Sequence, residues 1–113
     1  MPERREEKRI SVAERIDVIN ENYNEKIGTL VDISPKGLRI NGPEEMPLDE
    51  DMHLCLRLPT QILGKRTIRV VAVSVWSKRE PEQENWQSGF EFYRVSEHDS
   101  SLIIGLILEI QKT

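Results

Sequence analysis

The feature that most restricts the fold is a change of hydrophobic period close to residue 96. Before it, apolar residues alternate in short runs; after it, they recur at helical spacing. Met52, Leu54, Leu56 and Leu58 share one face of the clearest run, with His53, Cys55 and Arg57 on the other. A period of two predicts a half-buried β-strand. The same reading gives a strand from residue 12 to 18, in which Val12, Ile16 and Val18 alternate against Ala13, Arg15 and Asp17 until Asn20-Glu21-Asn22 ends it. A second runs over 26–33, with Ile27, Thr29, Val31 and Ile33 on one face, and a short third over 38–40 stops at Asn41-Gly42-Pro43. Residues 66–76, rich in β-branched side chains, and 86–93 complete the set. Segment 44–51 reads as an acidic loop and 78–85 as a polar break. Pro59 closes the 52–58 strand, and a link through Gly64 follows.

Ser96-Glu97-His98-Asp99 then resembles a helix start, with Ser96 as the cap and acidic residues in the first turn. Ile103, Leu106, Ile107 and Ile110 form an apolar stripe flanked by Leu102 and Ile104, so a helix is expected over residues 96–111. Six strands with short connections pair mostly antiparallel and tend to close. The predicted architecture is all-β: a small six-stranded antiparallel, Greek-key-like barrel with a C-terminal amphipathic helix packed on it.

A chain of 113 residues supplies one core and not two. Residues 1–10 hold almost nothing a core would take and read as a mobile arm, with residues 11–113 as the domain. A formal charge of −4 argues against generic attraction to nucleic acid polymers or anionic membranes. No apolar run approaches membrane-spanning length, and the N-terminus lacks the apolar centre of a signal peptide, so no membrane insertion and a cytoplasmic location are expected. The single cysteine, Cys55, excludes an intrachain disulfide and suits buried filler.

Catalysis finds little support. His53 and His98 lack metal-ligand spacing, neither Cys55 nor any serine carries a nucleophile signature, and there is no glycine-rich phosphate loop. Asp49-Glu50-Asp51 cannot converge on one ion from a single strand and reads as a solvated loop. Alternation makes Trp76, Trp86, Phe90 and Phe92 core aromatics rather than base-stacking platforms.

Two clusters remain. Ser34-Pro35-Lys36-Gly37 is a tight turn in which Pro35 presets the backbone and Gly37 supplies a conformation other residues resist. Asp32 and Ser34, two apart on a strand, point to one face and could reach one ligand; both also suit hydrogen-bonding to the turn itself. Near the N-terminus, Arg5 and Arg9 lie four apart on the same side. Their planar donor forks suit a ligand with phosphate and a guanine edge, while Asp32 could accept from guanine N1–H and N2–H and Ser34 could bond a phosphate oxygen. A plain solvated basic tail, partly neutralised by Glu6 and Glu7, explains the arginines by charge alone.

Together, Arg5-x-x-x-Arg9 and Asp32-x-Ser34-x-x-Gly37 resemble the two-part signature of the PilZ domain, a bacterial receptor for cyclic di-GMP. The 71–76 run ending in Trp76, the segment Ser88-Gly89-Phe90-Glu91-Phe92 and the final helix are similar to the family's late elements. The resemblance implies that Arg5 and Arg9 wrap over the dinucleotide and that Asp32 and Ser34 meet guanine and phosphate from the barrel. It further implies that Gly37 keeps the turn open, that Gly89 admits the ligand to the backbone, and that Arg4 stacks on a second ligand where two bind. The implied molecule has no cofactor, is a monomer or weak homodimer, and signals to an unidentified effector protein. The alternative is a PilZ-fold protein–protein adaptor that does not depend on the nucleotide. No signature position departs from the pattern; Glu6-Glu7 between the arginines is the unusual feature.

Overall fold

The computed structural model describes residues 10–11 and 14–112. The arm expected over residues 1–10, with Arg4, Arg5 and Arg9, lies outside them except for Ile10. Among the described residues seven strands precede one helix: β1 Ile10–Ser11, β2 Asp17–Asn20, β3 Glu25–Ser34, β4 Gly37–Gly42, β5 Asp51–Ile62, β6 Lys65–Glu80, β7 Asn85–Arg94 and α1 Glu97–Gln111. The order β3-β2-β5-β6-β7-β4 closes on itself through β3–β4 pairing, which gives the six-stranded barrel, and every ladder is antiparallel. The two-residue β1 is an addition to the outside edge of β3, with Ile10 opposite Ile33 and Ser11 opposite Asp32.

The interior is aliphatic. Val18, Leu54, Leu56, Ile68, Leu38, Ile40 and Ile33 are fully buried inside the barrel, with Phe90 beside them. The helix covers this core with Leu102, Ile103, Leu106 and Ile107, and Ile110 packs more loosely against it. Ser96 caps it by accepting the Asp99 N–H at 3.0 Å. The Asp99 carboxylate accepts the Arg69 N–H at 3.1 Å and so ties the first turn to β6. Ile104, a flanking position by spacing, is 46% exposed.

Several boundaries differ from the pattern in the sequence. The strand expected over 12–18 is not one strand: the ladder begins at Asp17, and Ile16 lies outside it while still burying its side chain and accepting the Leu30 N–H at 2.9 Å. Val12 and Ala13 lie outside the described residues. Pro59 does not end β5. Cα pairing with β6 lapses between Arg57 and Ile62, so the ring sits where no ladder donor is needed. Half of the "polar break" at 78–85 is ladder as well, and only residues 81–84 form the turn. Lys78, Arg79 and Glu80 pair with Gln87, Trp86 and Asn85 in a projecting hairpin whose charged side chains suit water.

Three of the barrel's irregularities decide which face carries what. Val18 pairs with Gly28 and Ile19 with Lys26, so Ile27 is an extra residue in β3. Leu30 pairs with Ile40 and Asp32 with Arg39, which leaves Val31 extra. Ser74 pairs with Phe90 and Trp76 with Gly89, leaving Val75 extra in β6. Each is a β-bulge, and a bulge shifts the phase of inward and outward side chains by one residue. Leu30 and Ile33, three apart, both enter the core as a result, and Val31 does not share the inner face expected for it.

Candidate functional site

The bulge at Val31 has a chemical consequence. It puts Asp32 on the same face as Arg39, which alternates outward between the core residues Leu38 and Ile40. The bulge at Val75 does the same for Trp76, which leaves the core face of Ala72 and Ser74 and comes to lie opposite Gly89. Backbone pairings therefore run in a row around the outside of the barrel: Ser11 to Asp32, Asp32 to Arg39, Arg39 to Gly89 and Gly89 to Trp76.

Asp32 is 2% exposed, and Arg39 donates to it through both Nε, at 2.7 Å, and Nη2. Both bonds converge on Oδ2. The pair holds the Arg39 guanidinium above its ordinary pKa, chiefly through the hydrogen bond to Asp32. Ser34 is fully buried at the end of the same strand, where its hydroxyl accepts the Lys36 N–H at 3.2 Å and donates to the Gly37 carbonyl at 3.4 Å. The turn-capping role open to Ser34 in the sequence is therefore occupied.

Gly37 earns its place differently from expectation. Among the described residues only Gly64 is a glycine with positive φ, so Gly37 does not supply a left-handed conformation. It supplies space: a Cβ there would stand 2.2 Å from the Phe90 carbonyl oxygen on β7. Gly89 also supplies space, for a side chain. A Cβ on it would stand 2.3 Å from Trp76 Nε1 and 2.5 Å from Cε2, so the indole edge lies directly on that glycine.

Leu38, Arg39, Val75, Trp76, Gly89, Phe90 and Glu91 line an outer depression of about 380 Å³. Of the residues singled out in the sequence, Asp32, Ser34 and Gly37 share one hairpin, and Gly89 joins them through Arg39. Arg4, Arg5 and Arg9 lie outside the described residues, although β1 begins at Ile10, the residue after Arg9. Arg39 and Trp76 went unnoticed as site residues. Arg39 had a signal, being two residues past Gly37 on an outward position; Trp76 had none, because alternation without a bulge assigns it to the core. Phe90 is the core aromatic the alternation predicts, Phe92 packs against that core, and Trp86 is half-buried. Among the described residues no cluster of three or more His, Cys, Asp or Glu could hold a metal ion, and no helix is long and apolar enough to cross a membrane.

A family model described as the PilZ domain matches residues 3–109. Among solved structures the chain is similar to the inhibitor of motility MotI/DgrA of Bacillus subtilis (TM-score 0.72, 19% identity), covering 98% of this chain and 52% of that one. It is also similar to the PilZ domain of Escherichia coli YcgR with c-di-GMP (TM-score 0.74, 15% identity), covering 97% and 93% of the two chains. A third is the MrkH–c-di-GMP complex of K. pneumonia (TM-score 0.69, 20% identity), with 98% and 56% covered. The chain thus spans about half the length of MotI/DgrA and MrkH. No curated protein matches it.

Proposed function

The chain belongs to the PilZ domain family, and from that premise we propose that it is a receptor for cyclic di-GMP. Arg5 and Arg9 grip phosphate and guanine, Asp32 and Ser34 meet the ligand from the barrel, and Arg39, Trp76 and Gly89 border its seat. Gly37 lets β4 and β7 approach closely enough to form that seat, and Arg4 stacks on a second ligand molecule where two bind. The bound nucleotide draws the part of the arm before Ile10 over the barrel face, and the altered surface is what a protein partner reads.

The observation that carries this reading is the pairing of β1 with β3. Ser11 stands opposite Asp32 and Ile10 opposite Ile33, so the backbone that follows Arg9 is tied beside the Asp32-x-Ser34 segment. Two clusters more than twenty residues apart in sequence are joined by a ladder at their inner ends. Arginine forks and a buried carboxylate on adjoining backbone suit a ligand with phosphates and a two-donor base edge. The YcgR and MrkH structures with c-di-GMP share this fold.

The adaptor alternative gives the arginines and the turn no ligand. Calorimetric titration with cyclic di-GMP, GMP and a single-stranded oligonucleotide separates the possibilities. The expected result is saturable binding of cyclic di-GMP and weak binding of GMP, because one mononucleotide cannot engage both arginines and the turn. Equal binding of the oligonucleotide, or no heat with cyclic di-GMP, would remove the proposal.

A further inference from the structure

We infer that the barrel end opposite the turn at 34–37 is a docking site for a protein segment bearing spaced lysine or arginine residues. β3 runs from Glu25 at this end to Ser34 at the other, so no residue of this site belongs to the cyclic di-GMP seat.

The β2–β3 turn, the segment after β4 and the start of β5 meet here around a depression of about 250 Å³. Its floor is apolar, made by the buried side chains of Ile27, Met46 and Met52. Its rim is acidic: Glu25, Glu44, Glu45, Glu50 and Asp51 are all exposed, and no lysine or arginine lines it. Among the described residues none of these five has a cationic partner, whereas Asp17, Glu21 and Asp32 each have one. No three of them could hold a metal ion together. Separate carboxylates over an apolar floor suit cations spaced along a chain, each with an aliphatic stem to lay on the methionines. The Tyr23 ring, 76% exposed on the same rim, adds a face for one such cation.

Asn20 shows what kind of chain fits. It is 7% exposed and lines the depression from the last position of β2. Its Oδ1 accepts the Asn22 N–H at 3.1 Å, which orients the amide and leaves the NH2 group without a partner among the described residues. A nearly buried donor at a docking site calls for an acceptor. The carboxylate rim repels an anion, so the acceptor is a neutral one. A peptide carbonyl is the neutral acceptor that arrives together with lysine and arginine side chains.

The test titrates the full nitrogen-15-labelled chain, without nucleotide, with a capped octapeptide in which lysine and alanine alternate. Spermine, which carries as many positive charges and no carbonyl, is titrated separately. The peptide is expected to bind saturably, to shift the amides of residues 20–25 and 44–52, and to move the Asn20 side-chain NH2 pair. Spermine is expected to bind more weakly and to leave that pair in place. Asn20→Asp separates the proposal from plain charge attraction, because it keeps the acceptor for the Asn22 N–H, removes the donor and adds a negative charge. Its affinity for the peptide should fall about fivefold, the factor carried by one hydrogen bond, where charge attraction alone predicts a rise. Shifts spread equally over the acids of the 80–84 hairpin and the helix, spermine binding as tightly as the peptide, or tighter binding by Asn20→Asp overturns the inference. So does an unmoved Asn20 pair or the absence of saturable binding. Should Asn20→Asp fail to fold, the Asn20 side-chain resonances of the unaltered chain, assigned by through-bond correlation, still decide.

Discussion

Gly37 and Gly89 both lack room for a methyl group, yet the two substitutions to alanine should not cost the same. At Gly37 the obstruction is the backbone carbonyl of Phe90, which cannot move without disturbing the β4–β7 ladder. At Gly89 it is the Trp76 ring, a half-buried side chain that can swing. Overpacking usually costs about 1–3 kcal/mol and more where nothing yields. Gly37→Ala is therefore expected at or above the top of that range and Gly89→Ala near the bottom, with a changed tryptophan emission only in the latter. Urea denaturation with fluorescence detection checks both. Asp17 offers a pH test. Its carboxyl is held below the ordinary 3.8, first by the hydrogen bond from Arg15 and then by Lys26, against the opposing effect of burial. A depressed carboxyl pKa adds stability that is present above the unfolded value and lost as pH falls through the folded one. The stability gap between the unaltered chain and Asp17→Asn should thus be constant above about pH 5 and shrink below about pH 4. Denaturation midpoints across that range measure it; a gap that grows in acid contradicts the assignment. That Asp32, Ser34 and Gly37 share one hairpin was legible at this scale because they are close in sequence. The reasons for the two glycines were not, since each depends on a strand distant in sequence.

Elements obey the periodicity of their sequences until a bulge intervenes. The helix was readable almost to the residue, since Ser96 caps it and no tertiary event disturbs a 3.6-residue repeat. Its two faces give a direct comparison. Leu102→Ala and Leu106→Ala, at positions 1% and 5% exposed, should each cost about 2–5 kcal/mol. Ile104→Ala and Leu108→Ala, at 46% and 56% exposed, should stay within about 0.5 kcal/mol. Thermal melts of the four variants test this, and equal losses on both faces would mean that the exposed pair is covered in solution. The strands were legible in number and rough position but not in facing. Counting by twos puts Val31 with Ile33 and Trp76 with Ser74, and one extra residue in each strand reverses both placements. No local composition marks those bulges, because valine is an ordinary strand residue and the insertion shows only against the partner strand. The site is built on these two phase shifts, so the part of the sequence that misled the strand reading is the part that assembles the outer row.

For the whole molecule, closure of the barrel makes the site rigid where it must be precise. β3 pairs with β2 over its first half, with β1 at its end and with β4 along the other edge, so Asp32 and Ser34 stand on a strand bonded along both edges. A carboxylate fixed in this way would lose little side-chain freedom on meeting a ligand, and the cost of ordering would fall on whatever closes from the other side. If the arginines and the Asp32-x-Ser34 turn hold one ligand between them, removing one partner must weaken that ligand. Cyclic di-GMP is titrated calorimetrically into the unaltered chain, Arg5→Ala and Arg9→Ala, with a melting curve of each free protein alongside. Each variant should bind about ten- to a hundredfold more weakly, the loss of one charge-assisted contact, while its ligand-free melting temperature stays with that of the unaltered chain. Binding that survives both substitutions undiminished, or variants that melt far earlier without ligand, would mean that the arginines and the turn do not share a ligand.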